Sequence, residues 1–514
     1  MNGLSNPDAV ATSQPVVNKW RNAVVRGIAW NTLYQFFQIA VSFGAMLLLV
    51  RVIPPTEYGK ATAVVGVLTI LNTLNSSLFM SQALQLTDGI EPDWSLHWSV
   101  GICIQCALSI LCHAVAGLCW LIAVYRPLAP LLHIAAVGLM LDAPNQLRLM
   151  MLRRAMDFRR LRILSSVGTL VSIATILALG LKGGGAYGIV LGSNVFIGLP
   201  FGFDLLFVQR WRPKPGWLRP DWSAYRPAVK FGLQQAATMF LRGSRAAMEA
   251  VVLPPAVGFI AIGLWSRAQA LYSTSVGRVT TVLLETVYPA LPRCVADLKR
   301  YSVNATLLLQ ATLWVALPGG LFLGIEGHRL SRLLYGAKWI GADPMILPGS
   351  IAGVALVILS VSSGILLADN RLRTCLLLEI VSASLAIPTL TVVWAKGSMV
   401  TYAWAVAIAQ IAATSIAISK ASCLLVADWF RVAFLPAILG TVLAGAAILA
   451  ADTSTGSWPL ATQIITDTAI YASIVLLVHR LVFPRVLAGF IERMPGAMHL
   501  KAVLRLSAVL PESA

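Results

Sequence analysis

Fourteen runs of about 20 mainly apolar residues follow one another along this chain, each long enough for a helix to cross the hydrocarbon layer of a bilayer. They centre near Phe37, Leu71, Ser109, Gly138, Ala174, Gly192, Thr238, Leu271, Val315, Val357, Ala386, Ile411, Gly440 and Val475, and the eighth and fourteenth are the least clean. Composition agrees: 58% of the 514 residues are hydrophobic and 12% charged, with a mean hydropathy of +0.78. That is too apolar for a protein whose whole surface meets water. The expected fold class is an all-α polytopic membrane protein of about 14 transmembrane helices.

Orientation follows from the basic residues. With the N-terminus in the cytoplasm, 25 loop and tail Lys and Arg residues fall inside and 8 outside, the asymmetry that sets topology in short loops. Both termini are then expected to be cytoplasmic. Asp88, Glu91 and Asp93 put acid in a loop where base is expected, but acids weigh little in this rule. The net charge of +18 is accounted for by topology and attraction to anionic lipid, so no nucleic acid is expected as a partner. Residues before Asn18 are polar and contain no apolar core with a small-residue cleavage site, so the first span is expected to serve as an uncleaved insertion signal.

The chain reads as two similar halves. Val52-Ile53-Pro54-Pro55-Thr56-Glu57-Tyr58-Gly59 follows the first span, and Val252-Leu253-Pro254-Pro255-Ala256-Val257-Gly258 follows the seventh. Each is expected to begin a fresh helix after a di-proline break, which makes a parallel repeat of the kind that places a site between lobes. The domain expectation is a cytoplasmic segment at 1–25, a first lobe at 26–208, an inter-lobe linker at 209–228, a second lobe at 229–426, two further helices at 427–483 and a basic amphipathic tail at 484–514. Trp211, Trp217, Trp222 and Tyr225, with six bases in the stretch from Gln209 to Lys230, suggest that the linker lies among lipid headgroups.

Four arginines sit within apolar runs: Arg242 and Arg245 in the seventh, Arg267 and Arg278 in the eighth. A cation at bilayer depth costs about 2.5 kcal/mol or more, so it persists where it faces a wet cavity, a partner charge or an anion. By helical rise Arg242 and Arg267 lie about 16 to 20 Å in, near mid-membrane, and Arg278 lies nearer the cytoplasmic mouth. Polar residues at helical spacing form stripes: Asn31, Gln35, Gln38 and Ser42 in the first span, Gln235, Thr238, Arg242, Arg245 and Glu249 in the seventh, and Arg267, Thr274, Arg278, Thr281 and Glu285 in the eighth. Such stripes are expected to face inward. Arg245 and Glu249, four apart, have the spacing of a helical ion pair, and Asp142 with Gln146 adds polarity to the fourth span. Guanidinium forks suit phosphate, so the expected ligand is anionic, phosphate-bearing and amphipathic, and an inner-leaflet lipid with a sugar head and a pyrophosphate link would fit. Cys103, Cys106, Cys112 and Cys119 in the third span read as small packing residues; no metal and no cofactor is expected.

Several segments resemble the polysaccharide-transporter family, the bacterial oligosaccharide-lipid flippases of the multidrug/oligosaccharidyl-lipid/polysaccharide (MOP) exporter superfamily. They are Arg26-Gly27-Ile28-Ala29-Trp30, Leu49 through Ala61, Arg153-Arg154-Ala155-Met156-Asp157-Phe158-Arg159-Arg160-Leu161, Tyr288-Pro289-Ala290-Leu291 and Leu333-Leu334-Tyr335-Gly336-Ala337-Lys338-Trp339. Their order and spacing, from about Arg26 to Leu425, carry the likeness more than any one of them. The resemblance implies two six-helix lobes forming a V around a central cavity, followed by two extra helices, in the bacterial inner membrane. It implies alternating access that moves undecaprenyl-pyrophosphate-linked repeat units outward for exopolysaccharide or lipopolysaccharide synthesis. Partners would be that lipid-linked substrate, membrane lipids, and the polymerase and export machinery of the same pathway. By position the family's cavity arginines correspond to Arg26, Arg51 and Arg267.

Outward movement of a pyrophosphate is favoured by the membrane potential at about 2.3 kcal/mol per charge per 100 mV, so cation antiport is not required. Glu249, Glu285, Glu379 and Asp142 are the acidic candidates for ion coupling. The alternative function is a cation-coupled drug or metabolite antiporter of the same superfamily, which would rely on carboxylates more than arginines. An enzyme is not expected: the longest external loop, from about Gly327 to Pro344, is short and basic, with Asp343 as its one acid.

Overall fold

The computed structural model describes residues 30–31, 33–86, 90–287, 291–455 and 458–492, without the side chains of Thr238, residues 282–287, Arg293 and residues 453–455. Arg26, the 1–25 segment, the tail beyond 492 and the Tyr288-Pro289-Ala290 motif lie outside the described residues, as does the side chain of Glu285. Among the described residues every regular element is a helix, and thirteen helices are long and apolar enough to cross a membrane.

In chain order these are α1 (Leu33–Val52), α2 (Pro55–Leu84), α3 (Trp94–Leu121), α4 (Arg126–Arg154), α5 (Phe158–Leu181), α6 (Gly185–Val208) and α7 (Trp222–Thr274). After the short α8 (Val276–Val287) come α9 (Leu298–Tyr335), α10 (Ala337–Ala368), α11 (Leu372–Lys396), α12 (Met399–Leu424), α13 (Phe430–Asp452) and α14 (Leu460–Leu481), then the short α15 (Pro484–Glu492).

The seventh and eighth apolar runs are two helices that meet at a kink within α7, so counting unbroken helices gives thirteen. Pro254 and Pro255 remain helical, and the backbone departs from helix at Gly258, with φ 76° and ψ 168°. Proline's fixed φ is compatible with helix, whereas a positive φ is readily adopted by glycine alone. The second di-proline therefore does not start a helix, unlike Pro54-Pro55, where α2 begins at Pro55.

Two compact units divide the chain at Pro255/Ala256. The division falls after residues 229–255 rather than within 209–228, because the first part of α7 packs on α2: Gly243 faces Thr69, Gly232 faces the Phe79 ring, and Gly66 lies against Ala246 and Ala250. Small residues let helices approach closely where no hydrophobic drive separates helix from lipid. Gly138 follows this rule in α4, since a Cβ there would meet the Asn194 carbonyl of α6 at 2.6 Å.

Local chemistry starts the helices. Asp93 accepts from the Ser95 and Leu96 amides before α3, Asp157 from Arg160 before α5, and Asp297 from Arg300 before α9. Asp221 does the same before α7, accepting from the hydroxyl and amide of Ser223 and the amide of Ala224. These donors, the Ser223 hydroxyl first, hold its carboxyl below the usual carboxylate range.

In the segment from 209 to 221 the tryptophans pack against α3. Trp211 and Trp217 pack on Trp98 of α3 at 5.5 and 6.0 Å between ring centroids, in a cluster with Met80, Leu147, Met150 and Leu205. Tyr225 is buried with its hydroxyl hydrogen-bonded to His97 Nδ1 at 2.8 Å; Trp222 alone of the four aromatics is exposed. Packing on Trp98 half-buries Trp211 and Trp217, and Tyr225 is buried beside His97, so these three rings gain stacking and edge contacts as well as covered area.

In the second unit α9, α10 and α12 form the centre, with Tyr301, Tyr335, Trp339 and Tyr402 fully buried. The pair α13 and α14 packs on α9 through Ala444, Ile448 and Tyr471 against Phe322 and Ile325, and the Tyr471 hydroxyl donates to the Pro318 carbonyl at 2.9 Å. Residues 327–335 continue α9 and residues 337–342 form a 3-10 turn, so the external loop expected there is helical.

Candidate functional site

Three helices of the first unit lose regular α geometry at membrane depth, and all three losses border one cavity. Helix α2 passes into a 3-10 turn at Asn72–Leu74 and is interrupted at Asn75, whose ψ of 142° is extended. Its second part restarts at Ser76, capped by Asn75 Oδ1 accepting from the Ser77 amide at 2.9 Å. Helix α6 widens to a π-helix at Leu191–Phe196. Helix α4 carries Pro144 inside it, which removes one backbone donor. Irregular backbone at this depth is tolerated where protein or a wet cavity satisfies the freed groups, and π-bulges gather at functional sites.

The cavity holds about 310 Å³ and its polar lining is Asn72, Asn75, Asp142, Asn145, Gln146, Ser193 and Asn194. Leu68, Leu139, Leu149, Ile197 and Phe201 provide apolar wall. Asp142 stands 16 residues from Arg126 and 12 from Arg154, the two ends of α4, so it lies about 18 Å from the nearer end. Asn75 Nδ2 donates to its Oδ2 at 2.9 Å, and Gln146 Nε2 donates to Oδ1 and Oδ2 at 3.1 and 3.0 Å. Asn145 Oδ1 accepts from the Gly202 amide at 3.0 Å, while Asn194 donates to the Val190 carbonyl and to Ser193.

Amide groups, the Ser193 hydroxyl and one carboxylate thus line the cavity, and among the described residues no cationic side chain does. Such a surface complements hydroxyls or a cation and gives no counter-charge to a phosphate. Any pyrophosphate would have to be met by the arginines elsewhere.

Asp142 and Gln146 are the cavity residues that the sequence indicated. Asn72, Asn75, Asn145, Ser193 and Asn194 were missed, although Asn72 with Asn75 and Asp142 with Asn145 stand three apart on otherwise apolar helices.

The other expected site residues are placed as follows. In α1, Asn31 Oδ1 accepts from Arg162 Nε at 2.6 Å and Gln38 Oε1 from the Thr169 hydroxyl at 3.4 Å, so half of that stripe faces α5. Gln35 is half-buried and Arg51 is exposed at the end of α1. On α7, Gln235 is half-buried, Arg242 is exposed, and Arg245 Nε is paired with Glu249 Oε1 at 2.8 Å, the helical pair that the spacing predicted. In the second unit Arg267, Arg278 and Glu379 are half-buried.

The segments that carry the resemblance, and residues beside them, make contacts that hold each unit together. Glu57 Oε2 accepts from the Ala186 amide at the start of α6 at 3.0 Å, while its Oε1 pairs with Lys60 at 2.7 Å. Arg154 donates to the Leu86 and Ile90 carbonyls, and Arg162 stacks over Tyr34 with 4.6 Å to the ring centroid. Arg160 and Arg148 converge on the buried Asp204. In the second unit, Gly336 ends α9 with φ 85°, between the buried Tyr335 and Trp339.

Comparison with known proteins fits this architecture. The profile of a family described as "Polysaccharide biosynthesis protein" matches residues 48–344, more than half of the chain. An "Uncharacterized membrane protein in cps region" of Klebsiella pneumoniae is 19% identical over 371 residues, covering 71% of this chain and 75% of that protein. The "Succinoglycan biosynthesis transport protein ExoT" of Rhizobium meliloti (strain 1021) is 22% identical over 345 residues, covering 65% of this chain and 66% of that one. Among solved structures, the lipid II flippase MurJ in an inward closed conformation superposes with a TM-score of 0.73 at 15% identity, over 90% of this chain and 100% of that one. A MATE-family multidrug transporter of the MOP superfamily, facing inward, gives a TM-score of 0.55 at 13% identity, over 75% and 95%. The chain therefore belongs to the polysaccharide biosynthesis protein family and has the fold of the MOP-superfamily transporters.

Proposed function

We propose that this protein is a flippase that moves undecaprenyl-pyrophosphate-linked oligosaccharide repeat units from the cytoplasmic to the outer leaflet of the bacterial inner membrane. The observation that carries this reading is a polar cavity at membrane depth, walled by interrupted helices, in a membrane protein of polysaccharide biosynthesis. The chemical division of labour supports it. Arg242, Arg245, Arg267 and Arg278, on two successive apolar runs, supply the forks that bind pyrophosphate, with Arg26 and Arg51 assisting at a span end. Gln35, Gln38 and Gln235 offer amides to the sugar. In this reading the transporter comprises a first lobe at 26–208, a second lobe at 229–426 and an added helix pair at 427–483. Both termini lie in the cytoplasm.

Asp142 is the strongest of the acids for coupling to an ion, because Glu249 is occupied by Arg245. Glu379 and Glu285 follow it.

The test is complementation of a flippase-null strain with Arg242→Ala and Arg267→Ala, measuring polymer at the surface, lipid-linked oligosaccharide inside, and protein in the membrane. Polymer is expected to fall at least tenfold and the lipid-linked intermediate to accumulate with the protein still inserted, since a charge-assisted bond lost at a binding site costs about 1.5–3 kcal/mol. Normal polymer from both variants would overturn the pyrophosphate role.

A further inference from the structure

A buried ion cluster lies at the seam between α9 and the pair α13 and α14. Arg329 Nη1 donates to Glu326 Oε1 and Oε2 at 3.0 Å and to Asp467 Oδ2 at 3.1 Å, and its Nη2 pairs with Asp452. Glu326 is 2% exposed, Asp467 0% and Arg329 8%. Asp452 closes α13 with 39% of its side chain exposed, which connects the cluster to the helix ends. Asp467 stands seven residues into α14, about 10 Å from its start. Arg329, expected within the external loop, is thereby placed in a helix: beside Glu326 three positions before it, its other two partners lie 123 and 138 positions away in sequence, so nothing local revealed them.

The charges do not balance. Three carboxylates converge on one guanidinium, and two of them are shut away from solvent. Asp467 Oδ1 is fully buried and has no hydrogen-bond donor among the described residues. The further charged group facing the cluster is His328, beside Glu326 with its Nδ1 on the Ile325 carbonyl. Leaving a buried carboxylate uncompensated costs several kcal/mol, whereas two like charges sharing a site readily keep one proton between them.

We propose that Glu326, Asp452 and Asp467 around Arg329 form a proton-binding site, with Asp467 Oδ1 as the atom that carries the proton. The proton comes from water at the exposed Asp452 and adds to a carboxylate, so no bond other than O–H changes. With one proton bound, the guanidinium faces two anions instead of three, and repulsion across the α9, α13 and α14 seam falls. The site is independent of the pyrophosphate reading, because it requires neither Arg242 nor Arg267.

Infrared difference spectra of the purified full-length protein test this. A protonated-carboxyl absorption is expected in the wild type at neutral pH, lost in Asp467→Asn and retained in Glu249→Gln. Should Asp467→Asn fail to fold, Asp452→Asn serves instead, since its side chain is partly exposed: removing a neighbouring negative charge is expected to move the midpoint of that band by about one pH unit. A wild type with no such band wherever it stays folded overturns the proposal. So does a band unchanged in Asp467→Asn, or in Asp452→Asn where that is the variant that folds.

Discussion

The side-chain amide of Asn75 donates to the Asp142 carboxylate at 2.9 Å, joining the break in α2 to the middle of α4 across 67 positions of sequence. This contact fixes the acid of the cavity and the turn of the broken helix at once. Replacing Asn75 by Ala removes the donor to Asp142 and the cap on Ser77 together, each bond contributing about 0.5–1.5 kcal/mol or more where a charge is involved. Asn75→Ala is expected to lower the melting temperature in detergent and reduce polymer output, whereas Asn75→Asp, which keeps the cap but faces Asp142 with a second charge, is expected to be worse for output. Equal output from both would show that the contact has no part in transport.

Gly258 should tolerate no side chain well. Its φ of 76° places an L-residue in a conformation costing about 1–2 kcal/mol. Gly258→Ala is expected to destabilise by that order in thermal unfolding, while Gly44→Ala, with open space around it and a helical backbone, is expected to be neutral or slightly stabilising.

Glu57 gives a graded test of the motif that follows α1. Glu57→Ala leaves the Ala186 amide without its acceptor and is expected to cost about 1–2 kcal/mol, and Glu57→Gln, which retains a carbonyl oxygen, less than half of that. Denaturant titration of the two variants against wild type decides it; identical midpoints would make the hydrogen bond irrelevant to stability.

The cap before α7 supplies a pH prediction. Asp221 has its carboxyl held below the usual range by the Ser223 hydroxyl and the amides beside it, so its contribution is present above the unfolded value and is lost as pH falls through the folded one. Hydrogen exchange at Ser223 and Ala224, corrected for intrinsic rates, is expected to accelerate on acidification in wild type and to be fast and pH-independent in Asp221→Ala.

Topology is checked by reporter fusions. A reporter after Lys182 is expected to behave as periplasmic and one after Arg154 as cytoplasmic, following the basic-residue asymmetry. The reverse pattern would invert the membrane orientation without altering any contact described above.

What was legible in the sequence follows from range. Helical spans were readable because a 20-residue apolar run is a local signal, and Arg245 with Glu249 because their spacing alone makes them neighbours. Pro254-Pro255 misled because proline forbids a donor, not a helical φ, so the break moved to the glycine that can adopt a positive angle. The cavity and the Arg329 cluster were hidden for the opposite reason: Asn75 and Asp142, or Arg329 and Asp467, become partners only once distant helices are packed. Trp211 and Trp217 show the same limit, since their composition suits a headgroup layer but their neighbour Trp98 lies more than a hundred positions earlier.

At Asn75 the ladder of backbone bonds along α2 is severed about two-thirds of the way along, so the stretches on either side are two rods on a pin rather than one beam. Bending there strains no regular hydrogen bond, and the residue at the pin is the one that grips Asp142. A shift of either rod therefore displaces the side chain that holds the cavity's acid.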